Sequence, residues 1–196
     1  MKRLRIVNLL LFGMVLCTAS VPADDNAPSY TQSSTIVIKR IIAGSENVTE
    51  KTDAAGNVLS ESDHEIFVTD GLGTKRMAFA TKMQLAKGTY APLFYSYKYI
   101  TEGAGDSYEV AVKDGTIKRT LTRSGRTSEV TAPFNPNTLI LDFNVYHHYD
   151  YIVRKYDGAK GGRQLFNDFV PLIGNAIPIA LTSLGDGMLQ SEKGSL

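Results

Sequence analysis

Residues 76–85 have the sequence RMAFATKMQL, and this stretch decides the fold. Every second position holds a larger apolar or β-branched side chain: Met77, Phe79, Thr81, Met83 and Leu85. Side chains of a strand point alternately to two faces, whereas an amphipathic helix repeats its apolar positions every three or four residues. The stretch therefore predicts a half-buried β-strand with one apolar face.

The same alternation continues on both sides of this strand. Tyr95, Tyr97 and Tyr99 share one face of a second segment, and Tyr108 begins the matching face of a third. Ile36 and Ile38 start another such run nearer the N-terminus. Aromatic and β-branched residues are enriched in strands, so these segments also predict β-structure.

Short turns separate the predicted strands. Asp114-Gly115 and Ser124-Gly125 are typical of tight hairpins, because glycine adopts a positive φ at little cost. Connections this short require neighbouring strands to run antiparallel. The sequence thus predicts a curved antiparallel meander (a half-barrel) of seven or eight strands between Thr35 and Thr131.

The period changes after the meander. Leu141, Val145, His148, Ile152 and Tyr156 follow a helical spacing. Asp142 is a plausible N-cap and Gly158 a plausible stop for this helix. We expect one amphipathic helix to pack on the concave side of the sheet, giving an α+β, mostly β fold. Two further strands are predicted at Gln164 to Val170 and Ala176 to Leu184.

The N-terminal 23 residues have the pattern of a secretory signal peptide. A cationic start is followed by the apolar run 6–19 and by Val21-Pro22-Ala23, which offers small residues at a cleavage site. The chain's one cysteine, Cys17, lies in this segment, and Leu16 before it does not favour lipid attachment. We expect a periplasmic or secreted protein with no integral membrane span after cleavage. The predicted organisation is a signal peptide (1–23), a flexible leader (24–34), one β-rich domain (35–185) and a weakly ordered tail or truncated strand (186–196).

Composition argues against nucleic-acid binding. Three of the 21 basic residues and none of the 20 acidic residues lie in the predicted signal peptide. The remaining 173 residues are therefore slightly acidic overall. A nearly neutral surface of mixed sign does not capture a polyanion.

Sequence motifs for catalysis are weak. The Gly-x-Ser-x-Gly elbow of hydrolases is absent, and cleavage would remove the only thiol. His147 and His148 are adjacent, so on a helix they point about 100° apart, unlike metal ligands spaced by four. His64 lies on a predicted strand far away in sequence, so only a partnership across the fold is conceivable for it. We therefore predict no metal and no cofactor, and we keep a hydrolase that uses a helical histidine only as a second alternative.

The tyrosines are typical either of a ligand groove or of a core between sheet and helix whose tyrosine hydroxyls reach the rim. Tyrosine has a large apolar ring and a polar tip, which suits the wall of a partly wet groove. Arg119 would either share the inner face of the sheet, where it could meet an anionic head group, or lie exposed on an edge strand. The predicted ligand-binding residues are Tyr95, Tyr97, Tyr99, Tyr108, Met77, Phe79, Met83, Arg119, His148 and Tyr149.

A resemblance points the same way. Leu141-Asp142-Phe143-Asn144, His147-His148-Tyr149 and Arg154-Lys155-Tyr156-Asp157 resemble segments of uncharacterised exported bacterial proteins. Those proteins are similar in architecture to periplasmic lipoprotein carriers, which surround helical plugs with a curved antiparallel sheet. The resemblance implies a curved sheet and no catalytic residue.

The favoured hypothesis is an exported, non-enzymatic protein that binds an apolar or amphipathic ligand, such as a lipid, between sheet and helix. The first alternative is an envelope assembly or adaptor protein with a protein partner and no small-molecule ligand.

Overall fold

The computed structural model describes residues 29–38, 40–70, 73–100, 105–135, 137–185, 190–191 and 194–195. The predicted signal peptide, residues 24–28 of the predicted leader and most of the predicted tail lie outside the described residues. Ten strands and one helix precede the tail: β1 (Ser29–Ile38), β2 (Ile41–Thr52), β3 (Val58–Asp70), β4 (Gly73–Leu85), β5 (Pro92–Ile100), β6 (Ser107–Lys113), β7 (Thr116–Arg123), β8 (Arg126–Pro133), α1 (His148–Lys155), β9 (Arg163–Val170) and β10 (Asn175–Thr182). Two short strands, β11 (Gln190–Ser191) and β12 (Gly194–Ser195), pair with each other in the tail.

Strands β1 to β8 form one antiparallel sheet in sequence order, which confirms the predicted meander. The sheet is open, because β1 and β8 are its two edges. The predicted leader was too long: β1 begins at Ser29 and pairs with β2 along its whole length. One face of this edge strand is exposed and therefore polar, and the sequence analysis interpreted that polarity as a flexible leader.

Backbone geometry explains the tight hairpins in the second half of the sheet. Asp114 and Gly115 both have positive φ, at 50° and 70°, as do Ser124 and Gly125, at 49° and 75°. Two consecutive positive φ angles are typical of the turn whose twist matches two flanking strands. Lys113 consequently pairs with Thr116, and Arg123 with Arg126.

The single helix was predicted correctly, but its start was not. Helix α1 begins at His148, and Asp142 does not cap it. Asn144 has a φ of 65°, in the left-handed region, and so interrupts any helix that would begin at Asp142. The preceding segment is extended instead, where Leu141 N–H donates to Phe169 O at 3.0 Å and Phe169 N–H donates to Leu139 O at 2.7 Å. In this extended conformation the three consecutive apolar side chains of residues 139–141 are all buried.

The core lies between the inner face of the sheet and the chain that crosses it. Helix α1 contributes Tyr151 and Ile152, and the β9–β10 hairpin contributes Phe169. A second apolar cluster forms around Phe79 and Val145. Within the described residues, no helix has the length and apolar character needed to cross a membrane.

Candidate functional site

A buried carboxylate ties the crossing segment to the tyrosine-bearing strands. Tyr95 on β5 donates its hydroxyl to Asp142 Oδ2 at 2.5 Å, and the Tyr108 hydroxyl on β6 donates to the same oxygen. The other oxygen accepts Phe143 N–H at 2.8 Å. Asp142 N–H donates to His148 Nδ1 at 3.1 Å. Asp142 is therefore a shared hydrogen-bond acceptor that fixes the crossing segment to β5 and β6.

Burial sets the protonation of this cluster. It raises the pKa of the Asp142 carboxyl, while the hydrogen bonds from Tyr108 and Tyr95 act in the opposite direction. Burial also raises the pKa of the Tyr95 and Tyr108 hydroxyls, with Asp142 adding to the effect. Both tyrosines consequently stay neutral donors.

A cavity of about 270 Å³ lies next to this cluster. Tyr97 forms one wall, and its ring is stacked on that of Tyr108 with centroids 4.7 Å apart and 5° between the planes. The remaining lining residues are Met77, Tyr99, Asp106, Arg123, Asp142, Phe143, Asn144 and Leu172. At the rim, Arg123 Nε donates to Asp106 Oδ2 at 2.6 Å.

Four of the ten predicted ligand-binding residues line this cavity: Met77, Tyr97, Tyr99 and Tyr108. Tyr95, Phe79, Met83 and His148 lie in the core instead, each at most 3% exposed. Arg119 does lie on the inner face, but its Nη1 donates to Pro171 O at 3.1 Å. Its guanidinium therefore binds the loop after β9. Tyr149 is half-exposed, on the side of α1 that faces away from the core.

Directly beneath α1 the predicted groove is filled by the helix itself. His148, Tyr151 and Ile152 are all at most 2% exposed. The open space lies beside the residues that precede the helix. Sequence reasoning missed Phe143, Asn144 and Leu172 as lining residues, because it placed Asp142 to Gly158 in one helix and the loop at 171–174 had no recognisable signal.

A second buried cluster contains all three histidines of the chain. Glu46 Oε1 lies 2.8 Å from His147 Nδ1 and 3.4 Å from His64 Nδ1. The rings of His147 and His148 have centroids 4.8 Å apart. Glu46, His64, His147 and His148 are all at most 5% exposed. The partnership of His64 with the helical histidines, which the sequence left open, is therefore present, although helix spacing alone did not predict it.

Two structural features bring the members together. Glu46 on β2 and His64 on β3 are directly opposed in the antiparallel register, so their side chains share a face. His147 is the N-cap residue of α1 but supplies no side-chain cap. Glu46 Oε1 instead accepts the backbone N–H groups of Tyr146 and His147, at 3.1 and 3.2 Å. Glu46 thus caps the helix from the sheet.

The charges in this cluster differ from those around Asp142. Burial alone would raise the pKa of Glu46, but the hydrogen bond and attraction of His147, together with His64, lower it below the ordinary value. Burial lowers the pKa of His64 to about 4 and that of His148 well below its usual range. Near neutral pH the cluster therefore contains an ionised carboxylate and the neutral imidazoles of His64 and His148.

Comparisons with protein-family models, with curated proteins and with solved structures find no match to this chain. The geometry of the two clusters and of the cavity is therefore what supports a function.

Proposed function

We propose that this chain is an exported, non-enzymatic protein that binds a small amphipathic ligand in the cavity beside Asp142. The observation that carries the proposal is a cavity lined by both aromatic and aliphatic surface and by polar groups. The export signal of the sequence analysis supplies the proposed location.

The lining predicts the character of the ligand. Met77, Tyr97, Tyr99, Phe143 and Leu172 offer apolar surface, which favours a ring or an aliphatic chain. Asn144 and the Arg123–Asp106 pair offer hydrogen-bond donors and acceptors to a polar end group.

The volume limits the size of that ligand. Pockets for small molecules typically enclose about 300–1,000 Å³, and this cavity, at about 270 Å³, lies just below that range. It suits one small amphiphile, or one chain of a lipid whose remainder stays outside, rather than a complete lipid.

The experiment is a titration of delipidated protein with the fluorescent amphiphile anilinonaphthalene sulfonate. Saturable uptake of one equivalent is expected. Tyr97→Ala should weaken binding by about tenfold, since it removes a stacked wall residue and about 1.4 kcal/mol of affinity corresponds to that factor. Tyr149→Ala is the matched control, because it removes a tyrosine that does not line the cavity, and it should bind like the wild type. Equal affinity in all three proteins would contradict the proposal.

Native mass spectrometry of protein purified from an envelope fraction provides an independent measurement. A co-purified small molecule that is absent from Tyr97→Ala would support the proposal and identify the ligand.

A further inference from the structure

The Glu46 cluster has the chemistry of a metal site. One ligand atom from each of Glu46, His64 and His147 lies within 4.8 Å of the other two, and all three residues are buried. Two imidazoles and one carboxylate form a ligand set that zinc enzymes use with a water in the fourth tetrahedral position. The cluster is separate from the cavity, whose lining includes none of these three residues.

Two of the three spacings between ligand atoms are close to those around a tetrahedral ion, and all three are within 4.8 Å. Zinc bonds to nitrogen and oxygen are about 2.0–2.2 Å long, so two ligand atoms on one ion lie roughly 3.3–3.5 Å apart. Glu46 Oε1 and His64 Nδ1 are 3.4 Å apart. Glu46 Oε1 and His147 Nδ1 are hydrogen-bonded at 2.8 Å. This contact would lengthen by about half an ångström when an ion replaces the shared proton.

Neighbouring hydroxyls hold His64 in the orientation that a ligand needs. His64 Nε2 is 2.6 Å from Ser62 Oγ, which in turn is 2.5 Å from Thr81 Oγ1. When Nε2 carries the proton and donates to Ser62, Nδ1 has its lone pair free and points to Glu46. Metal-binding histidines are usually fixed in this way by a hydrogen bond from their other nitrogen.

An unsatisfied buried atom favours the same conclusion. Within the described residues, His64 Nδ1, the nitrogen that would bind the ion, is buried without a hydrogen-bond partner. The ion-pair partners of Glu46 in that part of the chain are histidines rather than a lysine or an arginine. Buried polar nitrogens normally have a partner, and buried charges are normally paired or bound to a metal.

We propose that Glu46, His64 and His147 bind a divalent transition-metal ion, with Zn²⁺ as the ion that this ligand set suits best. The ion would link β2 and β3 to the start of α1, so it would stabilise the docked helix as well as satisfy the buried groups. Binding would require neutral imidazoles and release the proton that Glu46 and His147 share.

The test uses the chain without a histidine tag, stripped of metal with a chelator and then titrated with Zn²⁺ against a chromophoric competitor. The wild type should bind one equivalent and unfold at a higher temperature when loaded. Co²⁺ in place of Zn²⁺ should give the visible absorption of a tetrahedral complex.

Glu46→Gln and His64→Gln are the variants that test the ligand assignment. Removing an outer hydrogen-bond partner of a ligand typically lowers metal affinity 10–100-fold, so removing a ligand should lower it more than about 100-fold. Glu46→Gln keeps an acceptor oxygen for the helix cap, which favours folding of the variant. Glu50→Gln is the matched control, because Glu50 also joins β2 to α1, through Tyr151 and Arg154, but lies outside the cluster.

The expected pattern is one tight Zn²⁺ equivalent in the wild type and in Glu50→Gln, and none in the other two variants. Failure of the wild type to retain one equivalent, with no rise in unfolding temperature, would overturn the proposal. Undiminished binding by Glu46→Gln and His64→Gln would also overturn it, because the metal would then lie elsewhere on the chain. Neither result bears on the cavity, whose titration uses Tyr97→Ala.

Discussion

Asp142 and Glu46 are both buried carboxylates on the inner side of the sheet, yet their surroundings shift their pKa values in opposite directions. Asp142 is surrounded by neutral tyrosine hydroxyls, and burial raises its pKa. Glu46 lies against imidazoles, and its pKa is lowered. Neutral donors stabilise a carboxylate only by hydrogen bonding, whereas imidazoles can also share a proton or a metal ion with it.

The comparison shows that burial alone does not assign a role to an acidic residue. The Asp142 cluster is satisfied by its own hydrogen bonds, so it organises the wall of a cavity. In the described part of the chain, imidazole nitrogens of the Glu46 cluster are buried without a hydrogen-bond partner, so this cluster is equipped to bind something further. Three substitutions test this contrast, from the largest expected effect to the smallest.

Glu46→Ala should cause the largest loss. It removes the acceptor of two backbone N–H groups at the start of α1 and of His147 Nδ1–H, and each buried donor left without a partner costs about 1–3 kcal/mol. We expect the free energy of unfolding to fall by about 3–5 kcal/mol in urea denaturation with a chelator present. Glu46→Gln, which keeps an acceptor, should lose clearly less. Equal losses in both variants would mean that charge, not capping, is what the helix requires.

Asp142→Asn should have an intermediate effect. The new amide has one acceptor oxygen where the carboxylate has two, so either Phe143 N–H or both tyrosine hydroxyls lose their acceptor, at a cost of about 2–3 kcal/mol. The same urea denaturation measures it. The exposed Asp106, which pairs with Arg123 at the cavity rim, is the control, and Asp106→Asn should change stability by less than about 1 kcal/mol. A loss at Asp142 no larger than that of the control would contradict the organising role of this carboxylate.

Asp168→Asn should have the smallest effect, and of opposite sign. Asp168 is fully buried on β9, and neither carboxylate oxygen has a well-formed hydrogen bond among the described residues, although the nearby Leu139 N–H and Lys155 favour its ionised form. Burial raises its pKa from an ordinary 3.8 to about 6. Between these two values the folded protein binds the proton that the unfolded chain has lost, so this carboxyl contributes stability at low pH that disappears as the pH rises to about 6 and above.

A permanently neutral side chain removes this penalty. Asp168→Asn should therefore be more stable than the wild type by about 1–2 kcal/mol at pH 7. The difference should vanish near pH 4, which urea denaturation at the two pH values measures. A variant that is less stable than the wild type at pH 7 would show that Asp168 is ionised and usefully paired in the folded protein.

Much of the sheet could be predicted from sequence. The apolar side chains around Phe79 and along Tyr95 to Tyr99 recur every two residues, which indicates strands directly. The tight turns at Asp114 and Ser124 require the following strands to run antiparallel. The proposed meeting of Tyr97 and Tyr108 is also confirmed, since they are opposed in the register of β5 and β6.

The start of the helix and the Glu46 cluster could not be predicted by the same means. Asn144 has an ordinary helical neighbourhood in sequence, yet its backbone lies in the left-handed region, and residues 139–141 pair with β9 instead of leading into a helix. The pairing of Glu46 with His64 follows from the hairpin that closes at Thr52 and Val58. Pairing residues outward from that turn in an antiparallel register predicts that Glu46 lies opposite His64. The approach of His147 depends on how α1 docks, which no local pattern encodes.

The cap on α1 has a consequence for how the chain acquires its structure. The acceptor of the Tyr146 and His147 amides lies about a hundred residues earlier, in β2. A helix of eight residues is too short to persist alone, since isolated helices below roughly 12–15 residues are marginal in water. During synthesis the first hairpin leaves the ribosome long before the helix does. The finished hairpin can therefore act as the template on which α1 becomes ordered. The folding of β2 and the folding of α1 are then coupled into one cooperative unit.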